Sequence, residues 1–387
     1  MENRNWKEIK LGDYLDSISK TFKFTDKEVV FLNTSDVLEG KVLNKEYESP
    51  IGLPGQAKKS IQKGDLLFSE IRPANKRYAR IDFDSEDYVV STKLMVLRVK
   101  GDLDPIFLEL YLTSEEILDY LQMIAEDRSG TFPQITFDII SKLELKLPPL
   151  PEQKAIASVL SSLDDKIDLL HQQNQTLEAL AETLFRQWFV EEAKEDWEER
   201  PLSSIANFLN GLACQKFPPK DSINRLPVLK IKDLTSGISE NSDWATTDVK
   251  PEYIIRNGDV IFAWSASLMV KIWNGEDCIL NQHLFKVTSE EFPKWFYYFW
   301  CKQHLREFIS IAQSHATTMG HIKRSDLDEA MVLIPEEKEI EQMTIQMNPI
   351  LEKIQLNNNQ INSLSKLRDT LLPKLMSGEV RVKIDSN

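Results

Sequence analysis

The sequence predicts an α+β fold: two mixed α/β domains related by a pseudo-two-fold axis and separated by two long antiparallel coiled-coil helices. Three observations carry that expectation: an internal repeat, two heptad stretches, and prolines that punctuate the boundaries between them. The repeat pairs Trp6 and Leu11 with Trp197 and Leu202, FLNTSDVLEG (31–40) with VLKIKDLTSG (228–237), and IQKGDLLF (61–68) with IRNGDVIF (255–262). It continues from DPIFLELYL (104–112) to FPKWFYYFW (292–300) and from PEQKAI (151–156) to PEEKEI (335–340), which makes a unit of about 185 to 190 residues present twice. Self-similarity at that period means duplicated domains rather than a solenoid. A chain of 387 residues is long enough for two to three domains with their own cores.

In each globular copy, Gly64-Asp65 and Gly258-Asp259 introduce the short apolar runs LLF and VIF. VVSTKLMVLRV and CILNQHLFKV have the β-branched richness of strands. LKLPPLP (145–151) and VLIPEE (332–337) each end a strand-like run and open a helix, where proline is tolerated at the first turn. The domains expected are therefore 1–148, a helical spacer 149–196, 197–334, and a second helical spacer with the tail, 335–387.

The spacers carry the clearest periodicity. Ile156, Leu160, Leu163, Ile167, Leu170, Leu177, Ala181, Leu184 and Trp188 fall at alternating three- and four-residue steps, the seam of a coiled coil. In the second copy, Met343, Met347, Ile350, Ile354, Ile361, Leu364 and Leu371 do the same. A constant shift of 187 carries Leu160 to Met347, Leu163 to Ile350, Ile167 to Ile354, Leu177 to Leu364 and Leu184 to Leu371. Asn174 and Asn357 interrupt these seams; a polar residue there either fixes register at a cost in stability or is simply tolerated in mid-helix. A helix over 152–190 would be about 58 Å long, more than a small domain contains. Two similar heads on such rods suit an extended, repeating object such as duplex DNA, whose successive half-sites on one face lie about 34 Å apart. A two-headed scaffold for proteins is the alternative.

Composition bounds the chemistry. The net charge is −14, and residues 149–199 alone hold 4 basic against 12 acidic side chains, so this is no general polyanion binder. The acidic helix fits a spacer held off a nucleic-acid backbone, or merely a solvated face. Cys214, Cys278 and Cys301 form no C-x-x-C and read as buried free thiols. No apolar run reaches 18 residues and the first residues have no leader character, so the expectation is a cytoplasmic chain with no membrane partner.

The arrangement resembles the specificity subunit of type I restriction-modification systems over nearly the whole chain. The resemblance rests above all on LPPLPEQKAIASVLSSLDDKIDLL (147–170), LFRQWFVE (184–191) and LLPKLMSGEVRV (371–382). It implies that the two heads are target-recognition domains for an asymmetric, bipartite double-stranded DNA site. It also implies that the helices set their spacing and dock methyltransferase subunits, two per chain, and restriction subunits. S-adenosylmethionine, ATP and magnesium would then be used by those partners, with no cofactor bound by this chain.

Base reading needs Arg, Lys, Asn, Gln, Ser or Thr on loops that reach groove edges. In the first head, EIRPANKRYAR (70–80) offers Arg72, Lys76, Arg77 and Arg80, and SGTFPQI (129–135) offers Thr131 and Gln134. In the second, WSASLMVKIW (264–273) offers Lys271, and QSHATTMGHIKR (313–324) offers His315, Thr317, Thr318, His321, Lys323 and Arg324. Each is otherwise an ordinary solvated loop. The two histidines lack a third metal ligand in view. There is no phosphate loop, no N-P-P-[FY] run and no nucleophile elbow. Asp138, Glu144 and Lys146 imitate a nuclease array, but ISKLELKLP alternates as a strand with Glu144 and Lys146 outward. A non-catalytic chain with no metal site is expected.

Overall fold

The computed structural model describes residues 6–128, 133–239, 241–314 and 320–383. The chain divides into two compact units: Met1–Lys166 with Leu364–Asn387, and Ile167–Ser363. Each unit is a globular head together with a stretch of both long helices, so the division cuts across the linear order of the sequence.

The first head holds an antiparallel four-stranded sheet in the order Leu15–Ser17, Leu94–Val99, Leu66–Ser69, Tyr78–Arg80. A second sheet pairs Val30–Leu32 in parallel with Tyr88–Ser91, which pairs with Ala57–Ser60. The run VVSTKLMVLRV thus changes sheets at Thr92-Lys93 instead of folding into a hairpin. Every residue of Leu66–Ser69 and Tyr88–Ser91 is buried, as expected of strands covered on both faces. Helices Pro105–Leu112 and Glu115–Arg128 cover the first sheet, sharing a core with Leu66, Phe68, Met95 and Leu97. Asp104 caps the former by accepting from the amides of Ile106 and Phe107.

The second head repeats the plan. Its sheets run Asn207–Asn210, Leu284–Thr288, Val260–Ala263, Met269–Ile272 and Trp244–Thr246, Arg225–Leu229, Cys278–Leu280, Ile254–Ile255. The turn aspartates are equivalent too. Asp65, fully buried, accepts two bonds from Arg98 at 2.7 and 2.8 Å, and Asp259 pairs with Lys286 at 2.7 Å. Arg98 is held charged above its ordinary range chiefly by that hydrogen bond.

Each head closes on a two-stranded ribbon, Lys7–Lys10 with Glu144–Leu147 and Glu198–Pro201 with Met331–Ile334. In the first ribbon Glu144 and Lys146 point outward opposite Lys10 and Glu8, as the alternation predicted. Directly after it comes a long helix, Leu150–Arg186, whose last turn widens into Gln187–Glu191; the second ribbon leads to Glu337–Ser377.

One sequence pairing needs correction. PEQKAI and PEEKEI align Glu152 with Glu336, yet Trp6 Nε1 donates to Glu152 and Trp197 Nε1 donates to Glu339, at 3.2 and 3.0 Å. Glu152 and Glu339 are therefore equivalent, at the same shift of 187 as the seam and as the two helix starts. The Pro-Glu opener misleads because acidic residues are favoured in any first helical turn.

Within the first unit, Ile156 and Leu160 share a core with Leu371 and Leu375, and Asp164 pairs with Arg368 at 3.0 Å. Leu163 and Leu364 are half-buried, and Ile167 is buried. Within the second unit, Ala181, Phe185 and Trp188 share a core with Met343, Met347, Ile350 and Ile354, against which Leu177 and Leu184 pack. Early residues of one helix meet late residues of the other in both units, which makes each pairing antiparallel.

Candidate nucleic-acid interface

In the first head the two loops singled out by composition lie edge to edge. Ile71 bridges Gln134, the Ile135 amide donates to Glu70 O at 2.9 Å, and the Arg72 amide donates to Pro133 O at 3.1 Å. Between them Pro73–Asn75 forms a tight turn flanked by Arg72 and Lys76, both left-handed at φ +46° and +53°. Such values are uncommon for residues with a Cβ, and the surroundings over-determine them here. The Asn75 amide donates to Arg72 O, the Lys76 amide to Pro73 O, and the Ala74 amide to Gln122 Oε1 at 3.1 Å.

The four cations of that loop divide by what they touch. Arg72 and Lys76 are exposed, Lys76 lying 3.5 Å from Glu39. Arg77 Nη1 instead donates to the carbonyls of Ser35 and Val37 at 3.1 and 3.3 Å, tying a neighbouring turn down. Arg80 pairs with Glu109 at 2.9 Å, where burial pushes the carboxyl up and the guanidinium draws it back. Thr131 lies outside the described residues.

The second head builds the same junction. Ser265 bridges His321, the Ile322 amide donates to Trp264 O at 3.1 Å, and the Ala266 amide donates to Gly320 O at 2.8 Å, Ala266 being left-handed at φ +57°. His321 thus takes the place of Gln134, again at a shift of 187. Behind it is a group that charge and loop composition did not single out. Trp264 stands with ring centroids 6.2 Å from both His283 and His321, and its Nε1 donates to Asn210 Oδ1 at 3.2 Å. His283 Nδ1 lies 3.1 Å from Ser265 Oγ and its Nε2 lies 3.3 Å from the Gln282 amide. Among the described residues the group on the far nitrogen is the Gln282 amide, where a Ser-His relay would carry a carboxylate. The polar triplet Asn281-Gln282-His283, just ahead of a fully apolar strand start, was the signal to look for.

Two further candidates make intramolecular side-chain bonds, and a third, Lys323, is bonded through its backbone amide with its side chain exposed. Lys271 Nζ donates to Leu234 O at 3.0 Å, Arg324 Nη2 to Phe208 O at 3.3 Å, and Lys323 opens the helix Arg324–Glu329 with its amide on Asp326. His315, Thr317 and Thr318 lie outside the described residues. Asp138 of the nuclease-like array is paired with Lys142 at 2.7 Å.

A family model described as the type I restriction modification DNA specificity domain matches residues 3–179 and again 194–366. The chain is 30% identical to the type I restriction enzyme HindI specificity subunit of Haemophilus influenzae, over 97% of this chain and all of that protein. It is 27% identical to the MjaIX specificity subunit of Methanocaldococcus jannaschii, over 72% of this chain and 69% of the relative. Among solved structures, the S subunit of a type I restriction-modification system from M. genitalium superposes with a TM-score of 0.60 at 16% identity, covering 97% of each chain, a likeness of fold.

Proposed function

The chain belongs to the type I restriction-modification DNA specificity family, and from that membership we propose that each head reads one half of an asymmetric, bipartite duplex target. The observation that carries the reading is the repeated junction: Ile71–Gln134 in one head, edged by left-handed Arg72 and Lys76, and Ser265–His321 in the other, edged by left-handed Ala266. One scaffold position thus bears different side chains in the two copies, which is what two different half-sites require. In the first head, Gln134 suits bidentate pairing with adenine, and Arg72 and Lys76 suit guanine or phosphate. In the second head, His321, His283 and Gln282 supply ring-nitrogen and amide donors and acceptors, and the exposed Lys323 supplies a cation for phosphate.

In this reading the chain supplies the address and partner subunits supply the chemistry. Methyltransferase subunits would dock on the helices and bring S-adenosylmethionine, two to each chain; restriction subunits would bring ATP and magnesium. The acidic stretch 149–199 would face those proteins and not DNA. Mobility-shift titration of the chain assembled with its modification subunits tests the reading: binding should require a duplex that carries both half-sites. Equal binding to duplexes of any sequence would refute it.

A further inference from the structure

We infer that the asparagine layer in the helix seam is a pairing code: it lets the first long helix accept the second and makes either helix a poor partner for a second copy of itself. The inference is independent of the DNA reading. Asn357 Nδ2 donates to Asn174 Oδ1 at 2.9 Å, and Asn174 Nδ2 donates to Asn358 Oδ1 at 2.7 Å. Asn357 is fully buried and Asn174 nearly so. One oxygen of the layer, Asn357 Oδ1, has no partner among the described residues.

The code lies in where the layer sits. Antiparallel pairing with Asn174 opposite Asn357 sets Leu170, four residues earlier, opposite Ile361, four residues later, and both are buried. The repeat relates the helices by 187 residues, so Leu170 is the counterpart of Asn357 and Ile361 the counterpart of Asn174. Apart from Ala181, whose counterpart is Arg368, apolar seam positions of one helix are matched by apolar positions of the other everywhere but here. If the first helix paired antiparallel with another copy of itself in the equivalent register, each Asn174 would meet a Leu170. If the second did so, each Asn357 would meet an Ile361. Two chains that exchange partners this way bury four asparagines against aliphatic side chains, whereas two chains that each pair within themselves bury none unmatched. A buried amide without its partner costs about a factor of ten in the equilibrium, so four amount to about 10⁴-fold. A polar seam residue that selects one partner helix over another is the expected use of such a position.

The test keeps the full chain and moves one asparagine. Leu170→Asn with Asn357→Ile keeps two asparagines and two aliphatic side chains in the two layers but places both asparagines on the first helix, so that they match only across two copies. Leu170→Asn with Ile361→Asn instead completes a second matched layer within one chain. Light scattering coupled to size exclusion, over protein concentrations of about 1 to 100 μM with each variant refolded from denaturant, reads the result. The first variant should shift toward a dimer relative to the unsubstituted chain by at least tenfold in dissociation constant, or lose its folded state, while the second, matched both within one chain and across two, stays folded and shifts less than the first. A first variant that matches the unsubstituted chain in both size and stability, or a second variant that loses its folded state or shifts toward a dimer as far as the first, would overturn the inference.

Discussion

Arg72 and Arg77 are five residues apart on one loop, yet they have different work. Arg77 is spent on the carbonyls of Ser35 and Val37, so Arg77→Ala should lower stability by about 1 to 2 kcal/mol in denaturant unfolding. Arg72→Ala should leave the fold intact and weaken DNA binding. Gln134→Ala, if the residue reads a base, should relax one target position by about 1 to 3 kcal/mol, measured as the affinity ratio between cognate and substituted duplexes. Charge alone marked this loop in the sequence. What it did not mark was that Arg80 has Glu109 as a partner 29 residues away, because an ion pair between a strand and a helix leaves no spacing rule. The thiols were legible: Cys214, Cys278 and Cys301 are all buried and free. Burial raises each above its ordinary range, Cys214 to about 11. The folded state therefore holds the proton more tightly than the unfolded chain, in which a thiol titrates near ~8.5. Below that value the thiol contribution to stability is complete, and it is lost as pH rises toward the folded values. Native protein at pH 8 should resist alkylation by iodoacetamide that the denatured chain accepts at three sites.

Among elements, the long helices were the most legible, since an apolar seam at alternating three- and four-residue steps admits few other structures. Their starts were less so. The proline-glutamate motifs suggested one alignment, and the tryptophan contacts to Glu152 and Glu339 established another three residues away. Glu152 is fully buried and also accepts from Arg381. Glu152→Ala should cost about 1 to 3 kcal/mol by thermal or denaturant unfolding, because the Trp6 and Arg381 donors lose a shared acceptor. The strand junctions rest on close backbone approach. A Cβ at Gly211 would stand 2.2 Å from Asn281 O. Gly211→Ala should therefore displace Asn210 and Asn281, with Trp264 and His283 beside them, and weaken the second head's DNA binding more than the first's.

At the scale of the molecule, duplication was legible and its consequences were only partly so. Matched short motifs placed two heads and two helices in order, while the composition of compact units, each a head with part of both helices, depends on contacts between residues far apart in the chain. If the helix pair sets the length of unread DNA, matched seven-residue insertions after Leu177 and before Ile354 keep the seam in phase. They add about 10 Å, or about three base pairs of spacer, which methylation mapping would read. The most direct measurement concerns modularity. Residues 6–148 would be exchanged for the first head of another family member, the chain assembled with its modification subunits, and every methylated site mapped. One half of the target should change while the other half and the spacer length persist. A change in both halves, or in neither, would contradict the assignment of one head to one half-site.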